Sequence, residues 1–270
     1  MHDRDPVRGA AVDRPRHRGR RRARRGPAQA HAVGRAAGSR GHAPGGCIVN
    51  VITDTLAWLT DANHWTGPAG IPTRLAEHLA LSAVSIAVAI ALAIPIGIYI
   101  GHTGRYARLV VNSANLWRAL PSLALIGIVL PFTSAIDPQL GFKVYPTLVA
   151  MVVLAVPPVL VNTQAGIAGV DRDLVEAARA MGMRERQVVR QVELPLALPA
   201  LVAGIRSGAV QVVATATLGA IFGSGGLGRY LVEGVAQRDD GMTWSGVVLV
   251  AALALSVEGG FVVLQRVMKK

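Results

Sequence analysis

Residues 176–195 read EAARAMGMRERQVVRQVELP, and the charge pattern of this stretch decides how the rest of the chain is read. Five Arg and five acidic residues fall between positions 171 and 193, whereas residues 144–170 carry no charge at all. A polar stretch of good helix formers framed by apolar runs predicts a surface helix pair presented at one membrane face. Gly182 is expected to split the pair, and Pro195 and Pro199 to end it.

Working outward, five apolar runs fit membrane spans. Residues 79–100 are 22 consecutive uncharged positions, against the ~20 needed for a bilayer crossing. The second span is expected over 109–132, interrupted by Arg118 and bent at Pro121. The third covers 144–168 with a kink at Pro157-Pro158, the fourth 199–222 with Arg206 inside, and the fifth 244–264 with Glu258 inside. No strand-like alternation occurs, which argues against a membrane β-barrel. The chain is 51% hydrophobic and only 16% charged over 270 residues, too apolar for an ordinary soluble domain. These observations predict an all-α membrane protein. Cys47 is the single cysteine, so neither an internal disulfide nor a thiolate metal cluster is available.

The beginning of the chain differs in kind. Residues 1–46 hold twelve Arg against three Asp, which supplies +9 of the net +12. Without a run of large apolar residues this segment cannot build a core and is expected to be disordered. No apolar stretch closely follows the basic run, so it does not read as a secretory signal. Residues 1–48 are therefore read as a disordered Arg-rich extension, with translation starting near Val49 or Val51 as one account of it and binding of nucleic acid or anionic lipid by the basic run as others. Residues 49–74 read as an interfacial helix and loop, with Trp58 and Trp65 suited to the headgroup region. Residues 75–270 form the membrane domain, and its polar connector spans 171–196.

Polar groups within the spans mark either helix contacts or a pathway. The candidates for pathway lining are Asn112, Asn115, Arg118, Gln211, Thr215 and Thr217. Arg206 and Glu258 fall at similar depth in adjacent spans and are candidates for an intramembrane ion pair. Gly223, Gly225, Gly226 and Gly228 formally satisfy a dinucleotide fingerprint, but no strand precedes them and no acid follows about 20 residues on. They read instead as a flexible external loop closing over the path. Paired carboxylates, a nucleophile elbow and metal spacing are all missing from the sequence, which predicts a protein that is not an enzyme and has no cofactor of its own.

The polar connector also resembles a known family. Glu176-Ala177-Ala178, three residues, Gly182, nine residues, then Val192, one residue, and Leu194-Pro195 is similar to the EAA loop of binding-protein-dependent ABC importer permeases. RALPSLALIGIVLP (118–131), VELPLALPALVAGIRSG (192–208) and GSGGLGRYLVEG (223–234) resemble the permeases for osmoprotectants such as glycine betaine, carnitine and choline. The methionine-importer permeases are less closely similar, and carriage of methionine or another amino acid stands as the alternative. The resemblance implies the type I importer fold, methionine-permease-like, with about five spans. It also implies cytoplasmic ATPase subunits that bind the ATP, a second permease subunit, and an extracytoplasmic solute-binding protein. Glu176, Ala177, Ala178, Gly182, Val192, Leu194 and Pro195 would then form the coupling site, with Glu176 near the start of the coupling helix.

With that loop in the cytoplasm, ten Lys and Arg lie inside and four outside, which places the N-terminus out and the C-terminus in. The protein is then a multi-pass plasma-membrane protein. A membrane-tethered nucleic-acid binder using the basic arm is the alternative of another class; the importer reading involves no nucleic acid. The two part on deletion of residues 1–48, which a transporter survives.

Overall fold

The computed structural model describes residues 46–268, so all but the last three residues of the expected Arg-rich extension lie outside it. Every regular element among the described residues is helical. In order these are α1 Gly46–Thr60, α2 Ile71–Thr103, α3 Ala107–Ala119, α4 Ser122–Ile136, α5 Leu140–Lys143, α6 Tyr145–Ala168, α7 Arg172–Ala180, α8 Glu185–Val188, α9 Leu194–Gly219, α10 Gly228–Gln237 and α11 Asp240–Met268. Among the described residues, four stretches are long and apolar enough to cross a bilayer: Ile71–Thr103, Leu140–Ala168, Glu185–Phe222 and Asp240–Met268.

The expected second span is not one helix. Leu120 and Pro121 are both extended, and they divide the stretch into α3 and α4. Proline lacks the N–H that would continue the ladder and forces its predecessor out of the helical region. The apolar half, α4, has 15 residues and is about 22 Å long, short of the ~30 Å hydrocarbon core. Proline has the opposite outcome further on. Pro195 and Pro199 do not end the polar helix pair; a π turn over Val189–Glu193 runs directly into α9. Pro195 stands directly after the π turn, whose widened ladder precedes the position that lacks an N–H, and Pro199 is carried within the helix. Pro157 and Pro158 are likewise carried inside α6.

The centre of the bundle is α6, packed along α2 on one side and α9 on the other. Small residues permit the approach. A Cβ added at Gly204 would lie 2.7 Å from the Asn162 Cβ and 3.0 Å from the Pro158 carbonyl oxygen; one at Gly97 would lie 2.7 Å from the Thr163 Cβ. Ala89, Met151, Ala155, Val212 and Ala216 close the space between the three helices. Lipid tails are as apolar as the side chains, so close van der Waals packing rather than water exclusion holds such a bundle together. Against this core, α4 packs on α6, and α11 packs on α9, α10 and α1. α1 begins at Gly46, within the expected extension, and the Ser245 hydroxyl of α11 donates to its Thr55 carbonyl at 3.3 Å.

Gly204→Leu should lower the melting temperature in detergent, since overpacking a close helix contact costs about 1–3 kcal/mol. Gly127→Ala, whose new Cβ would meet nothing within 4 Å, should leave it unchanged or raise it. Equal melting of Gly204→Leu and the parent would show that α6 and α9 do not depend on this approach.

Candidate functional site

The polar connector folds as a small unit with a core of its own. Val175 and Ala178 of α7 and Val188 of α8 are buried together, with Val170, Met183 and Val192 around them. Asp171 caps α7 by accepting from the Asp173 N–H at 2.9 Å, and Asp173 stands in the first turn. These acids, not Glu176, occupy the positive end of the helix dipole. Glu176 is the fifth of the nine residues of α7, past the first turn, so the expectation that it sits near the start of the helix, at the positive dipole end, is corrected.

Gly182 ends α7. Its φ is +85°, its N–H donates to the Arg179 carbonyl, and the Met183 N–H reaches the Ala178 carbonyl. This is the helix stop that glycine serves best, because the left-handed conformation strains any residue with a Cβ. Space is not the constraint, as a Cβ there would meet nothing within 4 Å. On the outward side of α7, Leu174, Ala177 and Met181 form an exposed apolar strip, with Met181 77% exposed. Glu176 is also exposed, and Pro195 faces out at the start of α9. Leu194 packs inward on Ile167, Ala197 and Leu201.

A clamp ties this unit to the bundle, and no local sequence pattern announces it. His102 is in the last turn of α2. Its Nδ1 lies 2.8 Å from Glu193 Oε2, and its Nε2 lies 3.1 Å from Glu185 Oε2. Glu185 in turn accepts from Arg179 Nε and Nη2 of α7 at 2.9 and 3.0 Å. Each ring nitrogen of His102 thus faces a different carboxylate. Glu193 is only 4% exposed, and His102 is its side-chain partner. Among the described residues no cluster of His, Cys, Asp and Glu is arranged to hold a metal ion.

The six candidate pathway residues separate. Gln211 is exposed and lines a cavity of about 430 Å3 together with Trp117, Ser122, Pro157 and Ser207. Thr215 does not line it: the side chain is buried, and its hydroxyl donates to the Gln211 carbonyl at 2.8 Å. Thr217 sits beneath the glycine loop, with its hydroxyl buried. Asn112 is exposed on α3. The side chains of Asn115 and Arg118 are outside the described set. Arg206 and Glu258 do meet, at 2.9 Å, and Arg206 also donates to Gln265 at 3.0 Å. Ser207 and Trp117 went unnoticed in the sequence because each belongs to the cavity only through the α3–α4 break and the α6–α9 packing.

The glycine loop is pinned rather than free to close. Glu77 of α2 accepts from the Gly226 N–H and from Arg74, both at 2.9 Å. A Cβ at Gly225 would come 2.6 Å from the Glu77 carboxylate, and one at Gly226 would press on the His78 ring. Leu227 and Gly228 are buried, while Gly223 ends the short 3-10 turn at positive φ. Tyr230 donates to the Ala69 carbonyl at 2.8 Å, and burial pushes its phenol up to about 12, so it stays a donor. The loop's backbone needs glycine, but its neighbours hold it in place.

His102→Ala would leave the Glu193 carboxylate buried and unpaired, which should cost about 3 kcal/mol or more. The double variant His102→Leu/Glu193→Leu should recover most of that in a detergent melting experiment. A single variant that melts like the parent would rule out the clamp as a stabilising contact.

Residues 93–270 match the model of the family described as "Binding-protein-dependent transport system inner membrane component". The carnitine transport permease OpuCB of Listeria monocytogenes is 35% identical over 182 residues, covering 67% of this chain and 80% of that protein. The choline transport system permease OpuBB of Bacillus subtilis is 33% identical over 190 residues, 70% of this chain and 84% of that one. Among solved structures, an inward-facing form of the MetNI methionine ABC transporter superposes with a TM-score of 0.64 at 25% identity, over 74% of this chain and 96% of that one. The broken second span and the Gly182-split connector thus belong to an all-α permease with the type I ABC importer fold. The chain belongs to the binding-protein-dependent transport system inner membrane component family, the permease subunits of ABC importers.

Proposed function

We propose that this chain is the permease subunit of an importer for small quaternary-ammonium osmoprotectants of the glycine betaine, carnitine and choline type. Two permease subunits enclose the pathway, two ATPase subunits bind and hydrolyse the ATP, and an external binding protein delivers the solute. α7 is the coupling helix. The observation that carries this is its outward strip of Leu174, Ala177 and Met181, which stays bare while Val175 and Ala178 complete the core beneath. An apolar strip on a short polar helix suits insertion into a groove of a partner protein, and the small Ala177 lets the helix come close. The clamp through His102, Glu185 and Arg179 carries a push on α7 into α2 and α9.

Charge supports the orientation. Arg105, Arg108, the five Arg of the connector and Arg266 gather at the connector end, whereas Arg74, Lys143, Arg229 and Arg238 lie toward the other. The positive-inside rule then puts the connector and the C-terminus in the cytoplasm and α1 on the outer side of a plasma-membrane protein. The solute class follows from relatives named for carnitine and choline transport. Methionine is the second reading, favoured by the shared fold with the methionine transporter.

Because Ala177 is exposed, Ala177→Arg should insert and accumulate normally, yet lose ATP-driven uptake by about 10-fold or more, as a charge forced into an apolar groove would. Uptake of labelled glycine betaine, carnitine, choline and methionine by cells carrying the complete importer separates the solute readings. Parental uptake by Ala177→Arg would remove α7 from the coupling role.

A further inference from the structure

We propose that the Arg206–Glu258 pair is a transit site for a zwitterion: the solute's carboxylate meets the Arg206 guanidinium while its cationic end meets the Glu258 carboxylate. This rests on the osmoprotectant reading above and deepens it to named residues.

Both residues lie well inside helices that span the membrane, where a lone charge costs roughly 2.5–3.5 kcal/mol on insertion scales. Each neutralises the other, yet the pair is not closed off. The two side chains remain 34% and 36% exposed, and they form part of the wall of a cavity of about 420 Å3. Ionisable side chains at this depth characteristically face a bundle interior or a water-filled cavity rather than lipid, and this pair stands in the wall of such a recess. The remaining polar wall is Ser207, Gln211 and Gln265. Ser207 and Gln211 also line the cavity beside Trp117, so α9 offers one polar strip to both recesses.

The hydrogen-bonding inventory leaves room for a ligand. Arg206 uses Nη1 on Gln265 and Nη2 on Glu258, two of its five N–H donors, and Glu258 engages the guanidinium through Oε1. A planar guanidinium with donors to spare is suited to a second carboxylate. A zwitterion carries both charges in equal amount, so it can exchange partners with the pair without leaving a bare charge in the membrane. When the solute departs, Arg206 and Glu258 satisfy one another again. That competition keeps binding weak, as passage requires. A solute carrying only a cation meets a pair of zero net charge and gains little from it.

The test is the double variant Arg206→Gln/Glu258→Gln, which removes both charges together and so avoids an unpaired one. It is expressed within the complete importer, and labelled glycine betaine, carnitine and choline are offered separately. Membrane abundance should stay within roughly two-fold, uptake of the two zwitterions should fall at least about 10-fold, and choline uptake should stay within roughly three-fold, given what charged hydrogen bonds contribute. Parental zwitterion uptake, or an equal loss for all three solutes, would overturn the site while leaving the osmoprotectant reading intact. Parental cells that carry choline alone would also overturn it and leave that reading standing. Parental cells that carry none of the three would overturn the osmoprotectant reading, and the site with it.

Discussion

Close backbone approach between α6 and its two neighbours is the contact on which everything else rests. In lipid there is no water to expel between helices, so the bundle holds only where atoms touch. Gly97 and Gly204 let α2 and α9 approach α6 to distances that any side chain would forbid. The three helices then form a frame onto which the thinner elements are hung: α4 on α6, α11 on α9, and α1 on α11. Both ends of the frame are fastened by polar contacts that reach across long stretches of chain. Glu77 grips the backbone of the glycine loop at one end, and His102 grips Glu193 at the other.

The two fastenings differ in character. At the glycine loop a carboxylate accepts backbone and guanidinium hydrogens, and a buried tyrosine closes the joint. At the connector a histidine stands between two carboxylates, one of them nearly inaccessible. The first is a local seal. The second joins three helices and the π turn, so displacement of any one is felt by the others.

Much of this was legible in the sequence. Apolar length gave α2, α6, α9 and α11, because hydrocarbon thickness imposes a minimum run that few other contexts produce. Gly182 was legible as a helix stop, since glycine after a helical stretch has a specific backbone reason to be there. Proline was misread in both directions: Pro121 breaks a span that was expected only to bend, while Pro195 and Pro199 sit in a helix they were expected to end. Pro157, Pro158 and Pro199 all stand in helix interiors without ending them, so the residue type alone does not decide where a helix stops. The clamp was out of reach because His102 and Glu193 are 91 residues apart. The one hint was a carboxylate standing at the entrance to an apolar run. Thr215 and Gln211 looked alike in the sequence, yet one turn of helix sends the first into the packing and leaves the second in the cavity.

The break at Leu120–Pro121 has a consequence for packing. It falls about midway between the ends of the α3–α4 traverse, where a continuous helix would have satisfied its own amides. The first N–H groups of α4 have no partner within the helix, and the recess beside Trp117 and Ser122 opens at the level of the break. The apolar half beyond the break is about 22 Å long. Its Leu125 and Ile126 pack against Ala150 and Leu154 of α6, so the close apolar contact with the central helix lies on the α4 side of the break.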